Sequence, residues 1–154
     1  MSTKSIKHSL TILSLGSILL LGAGCSKEDA PSKEELIART WVITDFVASG
    51  AGESASIFDD EFDACEQDDQ YVFAANGTIT VNGGANKCDD AELDPIASGT
   101  WTFLEDGKKI SFDAPAFGSE VFDVDELTAG SMKVSITDNS IGVPIKLQFI
   151  LTAR

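Results

Sequence analysis

Histidine and basic residues are the clearest shortages of this 154-residue chain. There is one histidine, His8, and lysine and arginine total 11 against 25 aspartates and glutamates, so the formal net charge is −14. Such an acidic surface repels the phosphates of nucleic acids, so we expect no role in DNA or RNA binding. His8 lies in an N-terminal segment that we expect to be removed, which excludes histidine-based triads and zinc sites from the remaining chain.

The chain also lacks an apolar run long enough to cross a membrane as a helix. Its longest apolar stretch, residues 10–21, falls short of the roughly 20 residues that a spanning helix needs. Lys4 and Lys7 precede this stretch, and the small residues 22–24 follow it. A basic start, a short apolar centre and a small-residue end are typical of a secretory signal, so we predict a signal peptide over residues 1–24.

Cys25 follows the small residues directly and resembles the modified cysteine in the lipobox of bacterial lipoproteins. The resemblance implies that the thiol of Cys25 carries lipid and that residues 25–31 form a membrane tether. Residues 26–29, Ser-Lys-Glu-Asp, resemble a surface-export signal of some Gram-negative bacteria. We expect an anchor in the outer membrane at the cell surface, with a periplasm-facing position as the alternative; an ordinary signal peptide would leave Cys25 unmodified.

Cysteine is scarce as well, and its count is informative. Apart from Cys25, the chain contains only Cys65 and Cys88. Two cysteines in an oxidising compartment predict a disulfide, which for a loop of roughly 24 residues contributes about 3 kcal/mol. A metal site is the rival interpretation, but it lacks both a histidine and the C-x-x-C spacing.

From residue 40 onward, short runs of alternating apolar and polar residues are separated by turn residues. Asn76-Gly77 and Asp106-Gly107 are strong hairpin signals, because these residues accept a positive φ. Ser32 and Glu35 fit a capping box, which predicts a short helix over residues 33–38. The alternation predicts eight strands: residues 40–48, 70–74, 78–82, 99–104, 109–113, 120–127, 132–138 and 144–152.

Eight antiparallel strands, each with one polar and one apolar face, favour an all-β fold. We predict an eight-stranded up-and-down barrel with a short N-terminal helix over residues 32–154, since closure removes exposed strand edges. A β-sandwich is the alternative. A barrel of eight strands has room for packed side chains or for one small ligand.

The order of these motifs resembles the lipocalin-like lipoprotein domains of Gram-negative bacteria. The resemblance runs over residues 36–152 through a helix leading to Trp41, an aromatic strand after Cys65, then Cys88 and the Gly-Thr-Trp strand that contains Trp101. It implies a barrel and a ligand cup but identifies no ligand. We therefore expect binding of a small apolar ligand, with a protein-interaction or inhibitor module, or a structural envelope protein, as alternatives.

No pattern indicates catalysis, and we predict no enzyme activity, no cofactor and no metal. Carboxylates crowd residues 53–69 and 89–94, where solvated loops are more typical than a glycosidase pair or a calcium loop. Ile57, Phe58 and Phe62 interrupt this acidic segment, and we expect them to plug one barrel end, with contact to a partner as the alternative. The aromatic residues that could line a cavity, or else simply fill the barrel, are Trp41, Tyr71, Phe73, Trp101, Phe103, Phe112, Phe122 and Phe149.

Overall fold

The structure, a computed structural model, describes residues 30–154 except Asp90, Ala116, Phe117 and Ile141. The predicted signal peptide, Cys25 as the predicted site of lipid attachment, and most of the predicted tether lie outside the described residues. No helix in the described part is long and apolar enough to cross a membrane. Its elements are α1 (Lys33–Ile37), β1 (Thr40–Gly50), β2 (Glu53–Ser56), α2 (Phe58–Glu61), β3 (Gln70–Phe73), β4 (Thr78–Asn82), β5 (Ala97–Leu104), β6 (Lys109–Ala114), β7 (Gly118–Leu127), β8 (Ser131–Asp138) and β9 (Ile145–Ala153).

The strands form a closed antiparallel barrel of eight strands, as predicted, and the β-sandwich alternative is wrong. From β3 to β9 each strand pairs with the next, and β1 completes the ring by pairing with both β3 and β9. The short β2 stands outside this ring, because it pairs only with the end of β1 over Val47–Gly50. A reversal at Ala51 and Gly52, both with positive φ, joins β1 to β2.

Helix α1 and three tight connections, β3–β4, β5–β6 and β7–β8, lie at the same barrel end, called here the closed end. The capping box predicted for α1 is present. The Ser32 hydroxyl accepts a hydrogen bond from the Glu35 backbone amide, and the Glu35 carboxylate accepts one from the Ser32 backbone amide. Ile37, the last residue of α1, is fully buried, and its carbonyl accepts a hydrogen bond of 2.9 Å from the Trp41 indole. The Trp101 indole donates to the carbonyls of Ala74 and Thr78, so both tryptophans are held by hydrogen bonds at the closed end.

The opposite end, called here the mouth, carries the β4–β5 loop and the α2–β3 connection. Strand β3 pairs with β1 at only two positions, Thr40↔Val72 and Trp41↔Tyr71, so most of that edge of β1 is left to other segments. Strand β2 covers the far part, and the Ile57 amide donates to the Phe46 carbonyl at 2.8 Å. The segment that contains α2 therefore lies against the barrel wall beside the mouth.

Candidate binding cavity

The mouth half of the barrel contains a cavity of about 300 Å³, and its lining is almost wholly apolar. The cavity follows from strand geometry, because alternate residues of a strand point to the same face. Phe62 joins the lining from the α2–β3 connection. The other lining residues come from all eight strands of the ring, mostly at inward positions, and include Ile43, Tyr71, Phe73, Ile79, Val81, Ala97, Gly99, Phe112, Ala114, Phe122, Met132, Val134, Phe149 and Leu151.

Aromatic contacts hold one side of the cavity wall together. The ring centroids of Phe112 and Phe122 are 5.5 Å apart, and those of Phe122 and Phe149 are 5.8 Å apart, both edge to face. Phe73 meets Phe112 at 5.7 Å in the same manner, and Phe46 stacks on Phe149 at 4.3 Å. Each such pair adds about 0.5–1.5 kcal/mol beyond the area that it buries, so this wall is preformed.

Five of the eight aromatic candidates line the cavity: Tyr71, Phe73, Phe112, Phe122 and Phe149. The other three, Trp41, Trp101 and Phe103, lie at the closed end instead. The Trp101 ring contacts both Phe103, at 5.4 Å, and Phe73, at 5.9 Å. Both predictions for the aromatic residues therefore hold in part, because they fill the barrel at the closed end and line a cavity in the mouth half.

Sequence reasoning missed the aliphatic part of the lining. Met132 and Val134 on β8 and Leu151 on β9 are buried and face the cavity. In the sequence these residues alternate with polar neighbours, and that alternation indicates that they face inward. A prediction of cavity residues that is limited to aromatic side chains leaves them out. Phe62 lines the cavity and Phe58 packs beside it with centroids 5.2 Å apart, which agrees with the prediction that both close one barrel end.

Tyr71 supplies a hydroxyl to this apolar wall. Burial raises the pKa of Tyr71 to about 12, and the nearby carboxylates of Asp69 and Glu66 add to that rise. The neutral phenol is therefore the favoured form well above neutral pH.

Asp69 precedes the cavity-lining part of β3 and is only 8% exposed. Burial raises the pKa of Asp69; a hydrogen bond of 3.2 Å from the Gly84 amide opposes the rise, and Glu92, Asp68 and Glu66 reinforce it. Asp69 thus places a buried carboxyl group next to the rim of the cavity.

The predicted disulfide is present and crosslinks two segments of the mouth. Cys65, on the α2–β3 connection, is bonded to Cys88, on the β4–β5 loop, with a Cα–Cα distance of 5.2 Å. The Asp68 carboxylate accepts hydrogen bonds from the Ala85 and Asn86 amides at 2.8 and 3.3 Å, next to the crosslink. Within the described ranges, no three histidine, cysteine, aspartate or glutamate side chains form a group that could hold a metal ion.

Fold and cavity together define a closed antiparallel barrel with a packed end and an apolar cup. The family model for the lipocalin-like domain matches residues 37–134, so the chain belongs to the lipocalin-like domain family. The chain is also similar to the crystal structure of a lipocalin-like protein from Bacteroides uniformis, at 15% identity and a TM-score of 0.48, over 77% of this chain and 99% of that one. The search of curated proteins gives no match.

Proposed function

We propose that this protein binds a small apolar ligand in the barrel cavity without chemically changing it. The observation that carries the proposal is the cavity itself, which is apolar, preformed and closed below by packed tryptophans. Its volume of about 300 Å³ lies at the lower end of the range of small-molecule sites. Since a water molecule takes about 30 Å³ of liquid, the cavity accommodates roughly ten groups of methylene size.

The chemistry of the lining supports binding rather than reaction. Apolar walls contribute about 25 cal/mol for each Å² of ligand surface removed from water. The Tyr71 hydroxyl, with a pKa of about 12, acts as a neutral donor that can orient a ligand rather than as a base.

Binding is tested by titrating the protein with decanol, whose ten-carbon chain matches the cavity, and measuring displacement of an uncharged fluorescent probe. The deciding variant is Val134→Trp, which fills the cavity from a position that is buried and inward-facing. The matched control is Val121→Trp on β7, where the valine is 44% exposed and faces outward. We expect Val134→Trp to weaken decanol binding at least tenfold and Val121→Trp to leave it unchanged.

Overpacking costs about 1–3 kcal/mol, so the milder Val134→Phe accompanies the tryptophan variant, and thermal unfolding confirms that each one folds. Absence of decanol binding to the wild-type protein would contradict the proposal. Equal decanol affinity in the filled variants and in Val121→Trp would contradict it as well.

We also propose that Cys25 anchors the protein to the outer membrane at the cell surface, with the mouth directed away from the bilayer. The sequence pattern around Cys25 supports the anchor. The start of α1 at Lys33 supports the orientation, because α1 lies at the closed end. Seven tether residues reach at most about 25 Å, which keeps the closed end nearest the membrane.

The anchor is tested by fractionating cells that express Cys25→Ala, with Ala30→Ser, which lies outside the export-signal residues, as the control. We expect Cys25→Ala in the soluble fraction and Ala30→Ser in the membrane fraction, where protease added to intact cells digests it. Membrane association of Cys25→Ala would contradict lipid anchoring, and full protection from protease would contradict the surface position.

A further inference from the structure

Glu120 is a charged residue at an inward-facing position of the barrel wall. On β7 it shares a face with Phe122 and Val124, and it stands opposite Phe112 on β6. Glu120 lines the cavity and is exposed at the mouth, so this residue lies where the apolar lining meets water. None of the ion pairs between described residues includes Glu120.

The described loop segments at the mouth carry many more acidic than basic side chains. The disulfide joins the segment from α2 to β3 and the β4–β5 loop, and these two segments carry the acidic residues of the mouth. One of them, Asp69, is buried next to Tyr71, which lines the cavity. Low-dielectric walls focus the field of such a group of charges on the opening. The carboxylates of these two segments that the structure describes are Asp59, Asp60, Glu61, Asp63, Glu66, Asp68, Asp69, Asp89, Glu92 and Asp94.

Basic side chains of the described residues lie away from the cavity or are paired. Lys87 belongs to the mouth loops, but its ammonium group lies 3.3 Å from Glu92 and 3.9 Å from Asp94. Among the described residues, no lysine or arginine lines the cavity. The other described cations lie at the closed end or form ion pairs along the strands: Lys33, Arg39, Lys108, Lys109, Lys133, Lys146 and Arg154.

From this charge distribution we infer that the cavity takes cationic amphiphiles, with an alkyl chain of about ten carbons inside the barrel and an ammonium head beside Glu120. The inference rests on the proposed function and specifies its ligand class. A carboxylate or phosphate head at the same place would meet like charges, with no unpaired lysine or arginine among the described residues that line the cavity. An ammonium head instead gains a carboxylate partner at the point where the chain leaves the apolar wall.

The test compares three ligands with nearly the same alkyl chain and a cationic, a neutral or an anionic head group: decyltrimethylammonium, decanol and decanoate. Affinities are measured by calorimetry at neutral pH, at low salt and below micelle-forming concentrations. Attraction and repulsion at a partly exposed site are each worth about two- to fivefold, so we expect the ammonium ligand to bind about tenfold tighter than decanoate. Added salt should narrow that ratio, because it screens exposed charges.

Glu120→Lys is the variant that tests the location of the head group. Glu34→Lys is its matched control, because it makes the same change in net charge on α1, at the closed end. We expect Glu120→Lys to lose or reverse the preference for the ammonium ligand and to leave decanol affinity unchanged. Glu34→Lys should keep the order of the three ligands.

The outcomes separate this inference from the proposed function. Decanol binding together with equal or tighter binding of decanoate than of decyltrimethylammonium would overturn the inference and leave the proposed function standing. An unchanged ratio in Glu120→Lys would likewise overturn it. Failure of all three ligands to bind would overturn both.

Discussion

Tyr71 is the residue whose surroundings report most directly on the cavity. The chain contains one tyrosine, so its phenolate absorbance on alkaline titration belongs to Tyr71 alone. We expect a folded-state pKa of about 12, because burial disfavours the charged form. A value near 10, the ordinary tyrosine pKa, would mean that the ring faces water.

Because the pKa of Tyr71 is raised in the folded state, the free energy of unfolding depends on pH in the alkaline range. The folded protein holds the phenol proton more tightly than the unfolded chain, so its stabilising effect is complete below about pH 10 and is lost as the pH rises towards 12. The loss amounts to about 2–3 kcal/mol in the free energy of unfolding. Tyr71→Phe should not show this loss when its free energy of unfolding in urea is measured at about pH 10 and at about pH 12. An equal loss in the variant would show that another group, not Tyr71, is responsible.

The raised pKa of Asp69 acts in the same sense but in the acidic range, so at neutral pH the ionised Asp69 already lowers the stability. Its raised pKa means that the folded state favours the protonated form, so the charged carboxylate lowers stability above that pKa, and this loss disappears as the pH falls. Asp69→Asn keeps an acceptor for the Gly84 amide and removes the charge. We expect the variant to be as stable as the wild type or more so at neutral pH, with the difference closing at about pH 3.

Urea unfolding at both pH values measures this effect, and Asp60→Asn, a change at an exposed carboxylate, is the control. A variant that is less stable than the wild type at neutral pH would show that the ionised Asp69 stabilises the fold.

At the scale of elements, the disulfide between Cys65 and Cys88 is the main constraint on the mouth. The disulfide closes a loop and so restricts the unfolded chain. We therefore expect the double variant Cys65→Ser/Cys88→Ser to lose about 3 kcal/mol in the free energy of unfolding. Because the crosslinked segments bury Asp69 beside Tyr71, we also expect the Tyr71 pKa to fall towards 10 in this variant. Reducing agent should reproduce both effects in the wild type and change nothing in the variant; an unchanged Tyr71 pKa would show that the mouth keeps its shape without the crosslink.

The strands of the ring were predictable, and two short elements were not. Met132, Val134 and Ile136 alternate with polar neighbours on β8, and such alternation identifies a strand without knowledge of its partners. Strand β2, by contrast, consists of Glu53–Ser56, four exposed residues with no apolar face. Pairing with β1 is what makes it a strand, and sequence alone does not show that contact. Helix α2 is one turn long and depends in the same way on its phenylalanine contacts.

At the scale of the whole molecule, the sequence predicted which residues point inward but not how high they lie in the barrel. Trp101 and Phe112 are both inward-facing and oppose each other in register, yet Trp101 packs the closed end while Phe112 lines the cavity. Strand tilt and the offsets of the hairpins set these heights. Whether a cavity remains between the side chains depends on their summed volume in three dimensions, which periodicity does not contain.

Native mass spectrometry of the protein purified from its own membrane tests most directly whether the cavity is a binding site. We expect the wild type to carry an added mass that corresponds to a small amphiphile of roughly ten to fifteen non-hydrogen atoms, given the volume of the cavity. Val134→Trp should lack this mass, and Val121→Trp should retain it. Unliganded protein in all three preparations, before and after incubation with decanol, would contradict a binding role for the barrel.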